Sequence, residues 1–278
     1  MVKRFDPMVR DTAFKRVIDA QSLAENQEKK KVRTSLYASD YGNCMRKVFF
    51  QFFPAEYGAA VIDARTARVF SNGNAVHERL GGYLAKDESL NFIAEVPVPR
   101  DDLDVHGRCD GIAAVDNRFT IVEFKSINSK GVTEPKEAHE GQLMFYLHMF
   151  KVSQDRLREE FGIAEGLVWK KEDFEGVLSS KGRQFSELDR IEQRLLLSEG
   201  VPAGELVYEQ KPNQGVAGFP IAYDELTAEK VMAWFANVKK HVDEKRCPEV
   251  HYAKSSFPCR WFGSRCEFYE QCYGPDGA

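Results

Sequence analysis

The stretch HGRCDGIAAVDNRFTIVEFKS, residues 106–126, decides the fold. Residues 105–114 and 119–125 each have the pattern of a β-strand, and the VDNR segment at 115–118 has the composition of a tight turn. Residues 120–124 form a nearly continuous apolar run, which is typical of a strand buried inside a sheet. The sequence therefore predicts an antiparallel hairpin whose second strand is buried.

Three charged residues of this hairpin suggest chemistry. Asp110 falls near the middle of the first predicted strand, and Glu123 and Lys125, two residues apart, lie on one face of the second. Carboxylates from adjacent strands can hold a hard divalent cation, and the lysine could orient a water or stabilise charge on a phosphate. The alternative is an ordinary exposed charged face, but charges at a buried strand are costly unless a metal or a partner compensates them.

The rest of the chain alternates between helical and extended patterns. A polar, helix-prone lead-in covers residues 1–33, and residues 92–98 read as a strand near a sheet edge because of their prolines. Residues 166–170 read as a short strand, and 200–224 as a loop or irregular hairpin. Further helices are predicted at 44–53, 64–86, 135–151, 186–199 and 227–245. The order of elements predicts an α/β fold with a mixed central sheet flanked by helices.

Composition limits the class of protein. The chain has 278 residues, 43% of them hydrophobic, and a formal net charge of −4, which excludes a disordered chain. It has no run of about 20 apolar residues and no apolar core of a signal peptide, so a cytoplasmic location without membrane contact is expected. Residues 1–50 carry 11 basic and 6 acidic side chains, a balance of +5. This end could follow a phosphate backbone, or it could be a solvated helix face.

The six cysteines are unevenly placed. Cys259, Cys266 and Cys272 crowd the end of the chain, whereas Cys44 lies far upstream. Four thiolates can hold either a [4Fe–4S] cluster or a structural zinc ion, and the lack of a short C-x2-C pair argues against a zinc ribbon. The two remaining cysteines, at positions 109 and 247, are interpreted as non-ligands.

The motif D110-x12-E123-x-K125 resembles the core of the PD-(D/E)XK nuclease superfamily, with Cys109 where proline is usual. Upstream, the GNAVHE segment at 73–78 resembles the helix that supplies a histidine to the metal site of RecB-like nucleases. Downstream, Q142-x3-Y146 resembles the Gln/Tyr motif of the same group. The resemblance implies a PD-(D/E)XK core with helical segments at both ends, and it covers about residues 72–150.

The resemblance also implies roles for the residues. The ligands of Mg²⁺ or Mn²⁺ would be His77, Asp110, Glu123 and the backbone carbonyl of Phe124. Lys125 would position the attacking water. The Gln142 amide would hold Lys125 or a phosphate, and the Tyr146 phenol would either contact DNA or pack within the core.

The cysteine spacing resembles the split cluster of iron–sulfur RecB-like nucleases, which include AddB-type helicase-nuclease subunits and CRISPR-adaptation exonucleases. The SDYGNCMR segment at 39–46 resembles their upstream motif. A [4Fe–4S] cluster held by Cys44, Cys259, Cys266 and Cys272 would then tie the two ends of the chain together. The implied parts are an N-terminal helical segment (1–63), a nuclease core (64–199) and a cluster-bearing tail (200–278).

The resulting expectation is a Mg²⁺- or Mn²⁺-dependent deoxyribonuclease. It would act as an exonuclease on DNA ends or single strands through two-metal hydrolysis and leave 5′-phosphates. Arg46 and Arg108 are candidate phosphate contacts, and Glu95 is a candidate supporting acid. The alternatives are an inactive DNA-end-binding subunit that recruits a helicase or recombinase, and a restriction-type endonuclease. A phage, a CRISPR locus and a repair complex remain open as settings.

Overall fold

A computed structural model describes residues 12–27, 33–59, 63–99, 102–127, 132–164, 166–261 and 264–274. Its helices are α1 (Ala13–Gln27), α2 (Met45–Phe52), α3 (Pro54–Tyr57), α4 (Ala64–Leu84), α5 (Glu137–Phe161), α6 (Arg190–Leu197), α7 (Glu225–Asp243) and α8 (Tyr269–Tyr273). Its strands are β1 (Leu36–Tyr37), β2 (Ile93–Pro97), β3 (Val105–His106), β4 (Arg108–Val115), β5 (Arg118–Ile127), β6 (Ala203–Gln210), β7 (Val216–Ile221), β8 (Arg260–Trp261) and β9 (Ser264–Arg265).

A five-stranded sheet with the order β2-β4-β5-β6-β7 forms the centre of the fold. β5 and β6 run parallel, and the other neighbouring pairs are antiparallel. The sheet is therefore mixed and flanked by helices, so the predicted α/β class is confirmed. β2 lies at a sheet edge, as its prolines predicted.

The hairpin of β4 and β5 is confirmed, with one correction. Its turn residues Asp116 and Asn117 both have positive φ, 48° and 59°, as a two-residue type I′ turn requires. The strand predicted at 105–114, however, is broken at Gly107. β3 pairs with β1 instead. At the break the chain passes close to the Tyr146 ring, since a Cβ on Gly107 would lie only 2.8 Å from it.

Helix α5 forms the main core on one face of the sheet. It extends ten residues beyond the predicted end at 151, because Leu157 and Phe161 continue its buried face. Gly162, with φ 68°, ends the helix in the left-handed conformation typical of a C-cap. Phe235 of α7 packs against Phe145 of α5 with ring centroids 5.2 Å apart.

Helix α4 covers the other face and agrees with the helix predicted at 64–86. The Asp63 side chain caps it by accepting a hydrogen bond from the Thr66 N–H. Val76 and Leu80 bury against Phe124 of β5. Phe124 therefore points away from the face that carries Glu123, as strand alternation predicted.

The C-terminal half required the largest corrections. Of the two alternatives for residues 200–224, the hairpin is confirmed and the loop is wrong, because β6 and β7 pair antiparallel and form part of the central sheet. The described part of 166–170 is not a strand. The helix predicted at 186–199 is only α6, capped by Asp189, and α7 begins at Glu225 after an Asp224 cap rather than at Thr227.

Helix α2 and the segment before α8 meet through aromatic side chains. Phe49 and Phe50 of α2 form a buried cluster with Phe268, which precedes α8. Helix α1 is the described part of the predicted lead-in, and residues 1–11 and 28–32 lie outside the described residues. Among the helices that the structure describes, none combines the length and apolar character needed to cross a bilayer.

Candidate active site and cysteine-lined cavity

Asp110 lies where β4 and β5 begin to separate. Gly111 pairs with Val122, so Asp110 and Glu123 are the next residues along the two adjacent strands. The Oδ2 atom of Asp110 accepts a hydrogen bond of 2.6 Å from the Phe124 backbone N–H. Its Oδ1 atom lies 3.0 Å from Nδ1 of His77 on α4. The carboxylate is therefore fixed from both β5 and α4.

Glu123, Lys125 and Gln142 form a closed hydrogen-bonded triangle. Lys125 Nζ donates to Glu123 Oε1 and to Gln142 Oε1, both at 2.8 Å. Gln142 Nε2 donates to Glu123 Oε1, also at 2.8 Å. Strand alternation on β5 and the position of Gln142 on the facing side of α5 produce this arrangement.

Tyr146 completes the network from within the core. Gln142 Nε2 also donates to the Tyr146 hydroxyl at 2.8 Å, and that hydroxyl donates to the Arg108 carbonyl at 3.3 Å. Because Tyr146 is only 2% exposed, its phenol does not reach the surface. The suggestion that it contacts DNA is therefore wrong in this conformation, and the packing alternative describes its position.

Burial dominates the electrostatics of the site. It raises the pKa of Glu123 to about 7, helped by the charge of Asp110 and opposed by Lys125. Burial lowers the pKa of His77, but its hydrogen bond to Asp110 and the charges of both carboxylates outweigh burial, so the net pKa is raised. The site thus concentrates negative charge that a cation could neutralise.

Glu123 provides the test of whether a divalent cation fits. Its side chain is 4% exposed, and its Oε2 atom is buried without a hydrogen-bond partner. An unpaired buried carboxylate oxygen is costly, and carboxylate oxygens are the ligands that Mg²⁺ and Mn²⁺ prefer. The donor set fits such an ion, although within the described residues no three His, Cys, Asp or Glu side chains are grouped closely enough to hold one as they stand.

The two predicted phosphate contacts lie in different places. Arg108 is exposed beside the site and forms a 3.0 Å ion pair with Glu95, which lies opposite Asp110 on β2 with φ 55°. Arg46 lies at the cysteines instead. Its guanidinium donates to Cys272 Sγ at 3.3 Å and to the Pro248 carbonyl at 2.6 Å.

The four predicted cysteine ligands line one cavity of about 350 Å³. Cys44 precedes α2, and the other three lie between residues 259 and 272, so the fold brings together segments more than two hundred residues apart in the chain. Cys259 Sγ lies 3.3 Å from the Tyr273 hydroxyl. Burial raises the pKa of Cys266 to about 11, so this thiol stays protonated unless a metal displaces its proton.

Four sulfurs around one cavity fit an iron–sulfur cluster or a zinc ion in ligand type and number. The thiols, however, are not grouped closely enough to coordinate an ion as they stand in the described residues. The two cysteines interpreted as non-ligands do not line the cavity. Cys109 is fully buried in β4, and Cys247 is partly exposed after α7.

One charged pair near the site was not predicted from the sequence. Glu209 of β6 is buried and pairs with Arg79 of α4. Ser126, aligned with Glu209 across the β5–β6 pairing, has a buried hydroxyl without a hydrogen-bond partner. The alternation of buried Leu206 and Tyr208 with more polar neighbours was the signal for β6 that could have revealed this pair.

Comparison with known proteins agrees with the geometry. The model of the PD-(D/E)XK nuclease superfamily matches residues 13–273, and the chain therefore belongs to that superfamily. A search of curated proteins gave no match.

The solved structures that are similar to this chain include the following two. The protein SSO0001 is 17% identical over 82% of this chain and 88% of its own, with a TM-score of 0.46. An alkaline exonuclease (LHK-Exo) from Laribacter hongkongensis is 11% identical over 76% of this chain and 92% of its own, with a TM-score of 0.33.

Proposed function

We propose that this protein is a Mg²⁺- or Mn²⁺-dependent DNA nuclease of the RecB-like branch. It would act as an exonuclease on DNA ends or single strands in the cytoplasm. The observation that carries the proposal is the unpaired buried Oε2 of Glu123, next to Asp110 and linked to Lys125. A carboxylate oxygen kept without a partner in a buried site is explained if a cation is its partner.

The residues of the site would bind the metal and position the reacting groups. Asp110, Glu123, His77 and the Phe124 carbonyl would hold the metal. When bound, one or two such ions would polarise the scissile phosphate, activate water and stabilise the leaving 3′-oxygen, which gives 5′-phosphates.

Lys125 would orient the attacking water and place positive charge near the phosphate. Its ammonium can do so because Gln142 holds it in position. Arg108 is exposed beside Asp110, and it would contact the DNA backbone once its ion pair with Glu95 is broken.

The test is digestion of end-labelled single- and double-stranded DNA with Mg²⁺ or Mn²⁺. Asp110→Ala and Lys125→Ala should each lower the rate by at least about a hundredfold. Lys239→Ala is the control, because Lys239 lies on α7 in an exposed ion pair with Asp243. Digestion at the wild-type rate by either active-site variant would overturn the proposal.

One observation favours a second function, that of an inactive DNA-end-binding subunit that recruits a helicase or recombinase. Lys125 and Gln142 already occupy Glu123 Oε1, and His77 and Phe124 occupy Asp110. If these contacts persisted, the metal could not enter. Tight DNA binding by the isolated protein without turnover in either metal would support this function.

We also propose that Cys44, Cys259, Cys266 and Cys272 hold a [4Fe–4S] cluster. The common cavity that they line supports this proposal. Anaerobically purified protein should be brown, with broad absorption near about 400 nm and about four irons per chain. A colourless protein with one zinc per chain would contradict the cluster and indicate a structural zinc site instead.

A further inference from the structure

A second cleft lies behind Cys44, between the C-terminal half of α7 and the segment 246–252. Its volume is about 590 Å³, which is within the range of ligand-binding pockets. Asn43 and Cys44 line both this cleft and the cysteine cavity, so the two spaces adjoin. The roles proposed above for the active-site residues and the cysteines do not account for this cleft.

Two basic side chains in the cleft, Arg246 and His251, can bind a ligand. Arg246 and His251 are exposed, and the described residues provide neither side chain with a hydrogen bond or an ion pair. Arg46, in contrast, lines the cleft but is already occupied by Cys272 and Pro248. An uncompensated guanidinium in a concave site favours an anionic group such as a phosphate.

Aromatic rings line the same cleft. Trp234 is partly exposed and meets Tyr41 edge-on, with ring centroids 5.6 Å apart and an angle of 70° between the planes. His251 meets Tyr252 at 85°. Aromatic faces next to cations are the combination on which unpaired nucleic-acid bases stack while their phosphates are neutralised.

A continuous set of contacts links this cleft to the candidate active site. The Tyr41 ring packs so closely on Gly141 of α5 that a Cβ there would lie 1.9 Å from the ring. Gly141 precedes Gln142, which holds Lys125. The cleft and the candidate active site are therefore connected through the start of α5.

We propose that this cleft binds a nucleotide of single-stranded DNA, on the strand whose phosphodiester bond lies at Asp110 and Glu123. Arg246 and His251 contact its phosphate, and Trp234 stacks on its base. This inference rests on the proposed nuclease function and deepens it, because it assigns a single-stranded substrate. Glu249 also lines the cleft, and its negative charge weakens phosphate binding there.

The first experiment measures the anisotropy of fluorescein-labelled (dT)20 with the full-length protein in EDTA, where no cleavage occurs. The double variant Arg246→Ala/His251→Ala should bind about tenfold more weakly. Its plot of log K against log salt should be shallower by about 0.7 for the lost phosphate contact. Lys239→Ala, which removes one positive charge from another face of α7, should bind as the wild type does.

Glu249→Gln tests the sign of the charge effect, and it should tighten binding by about twofold. Because Arg246, His251 and Glu249 are exposed, all these variants should keep the wild-type melting temperature. Unchanged affinity and an unchanged salt slope in the double variant would overturn the proposal. The proposal would also be overturned if a poly-glutamate peptide bound at the cleft as tightly as (dT)20, since the cleft would then recognise an acidic peptide.

The second experiment uses the intrinsic fluorescence of the three tryptophans. Unlabelled (dT)20 should quench the wild-type signal, and the quenching should disappear in Trp234→Phe. Quenching that persists in this variant would contradict base stacking on Trp234.

A nuclease assay separates this inference from the proposed function. Binding and quenching without Mg²⁺-dependent cleavage would leave the cleft assignment intact and reject the nuclease. Mg²⁺-dependent cleavage, together with cleft variants that bind DNA as the wild type does, would support the nuclease and reject the cleft assignment.

Discussion

Gln142 is the residue on which the geometry of the candidate site depends, because it contacts Glu123, Lys125 and Tyr146 at once. Gln142→Leu keeps the approximate volume and removes all three hydrogen bonds. We expect at least about a hundredfold loss of nuclease rate, because Lys125 loses its orientation. We also expect a decrease of about 1–3 kcal/mol in the free energy of unfolding, measured in urea.

Tyr146→Phe is the matched control for Gln142→Leu, since it removes only the buried hydroxyl at the end of the network. Its rate should fall by no more than about tenfold, and its affinity for DNA should stay unchanged because the ring is buried. A Gln142→Leu variant as active as the wild type would show that Lys125 needs no support from α5.

His139 gives the folded protein a pH-dependent stability. Burial, together with the positive charges of Lys125 and Lys136, lowers the pKa of His139 from its ordinary 6.5 to about 4. The Tyr208 hydroxyl accepts a hydrogen bond from the Lys136 N–H, so it donates to the neutral His139 Nδ1. Unfolding frees this imidazole to bind a proton between about pH 6.5 and pH 4.

The contribution of His139 to the free energy of unfolding should therefore fall as the pH drops through that window, and it should be constant above and below it. The raised pKa of Glu123 acts in the opposite direction, so the contribution of His139 is the difference between the wild type and a His139 variant. We expect a loss on the order of 1–2 kcal/mol, because the imidazole is partly exposed and water screens its charge. His139→Gln keeps a polar partner for Tyr208 and should remove this part of the slope in urea titrations from pH 4 to 7. An unchanged slope would contradict the assignment.

The sequence could predict which residues meet at the site, but not the environment of each one. Asp110, Glu123, Lys125 and Gln142 were predictable because strand and helix periodicity fix which side chains share a face. The positions of Arg46 and Tyr146 were not, because rotamers and burial depend on tertiary neighbours. Cys272 and Pro248, 226 and 202 residues away in the chain, determine where Arg46 lies.

At the scale of elements, the β4–β5 hairpin was predictable, whereas the β6–β7 hairpin could be predicted only as one of two alternatives. The Asp116–Asn117 turn and the apolar run of β5 are local signals. β6 contains Gly204, and β7 contains Gly218 and Pro220, so their composition resembles that of a loop. Their strand structure comes from pairing within the sheet. Gly204 lets β6 lie close to α5, since a Cβ there would lie 2.8 Å from the Leu143 side chain.

Gly141 tests how tightly α5 packs against the segment before Cys44. A glycine in a helix interior normally gains about 0.5–1 kcal/mol on replacement by alanine. Here the new Cβ would lie 1.9 Å from the Tyr41 ring, and the resulting overpacking costs about 1–3 kcal/mol. Gly141→Ala should therefore destabilise the protein and shift Tyr41, measured by thermal unfolding and near-UV circular dichroism.

Gly73→Ala is the control in α4, where a Cβ would meet nothing within 4 Å. It should raise the melting temperature slightly, as helix propensity alone predicts. Equal effects of the two substitutions would show that the close packing of Tyr41 on α5 contributes nothing to stability.

At the scale of the whole molecule, the cysteine cavity joins the segment before α2 to the segment that contains Cys259, Cys266 and Cys272. A metal held by Cys44 and the C-terminal cysteines closes a loop of more than two hundred residues, and the constraint on the unfolded chain is worth on the order of 5 kcal/mol at most.

Cys259→Ala and Cys272→Ala should each lose the bound metal and melt about 10 °C lower, measured by calorimetry with iron and zinc analysis. Cys247→Ala, a neighbouring thiol that does not line the cavity, should keep the metal and the wild-type melting temperature. If all three variants kept their metal, it would be bound by other residues, and the pairing of the two segments would rest on the aromatic cluster of Phe49, Phe50 and Phe268.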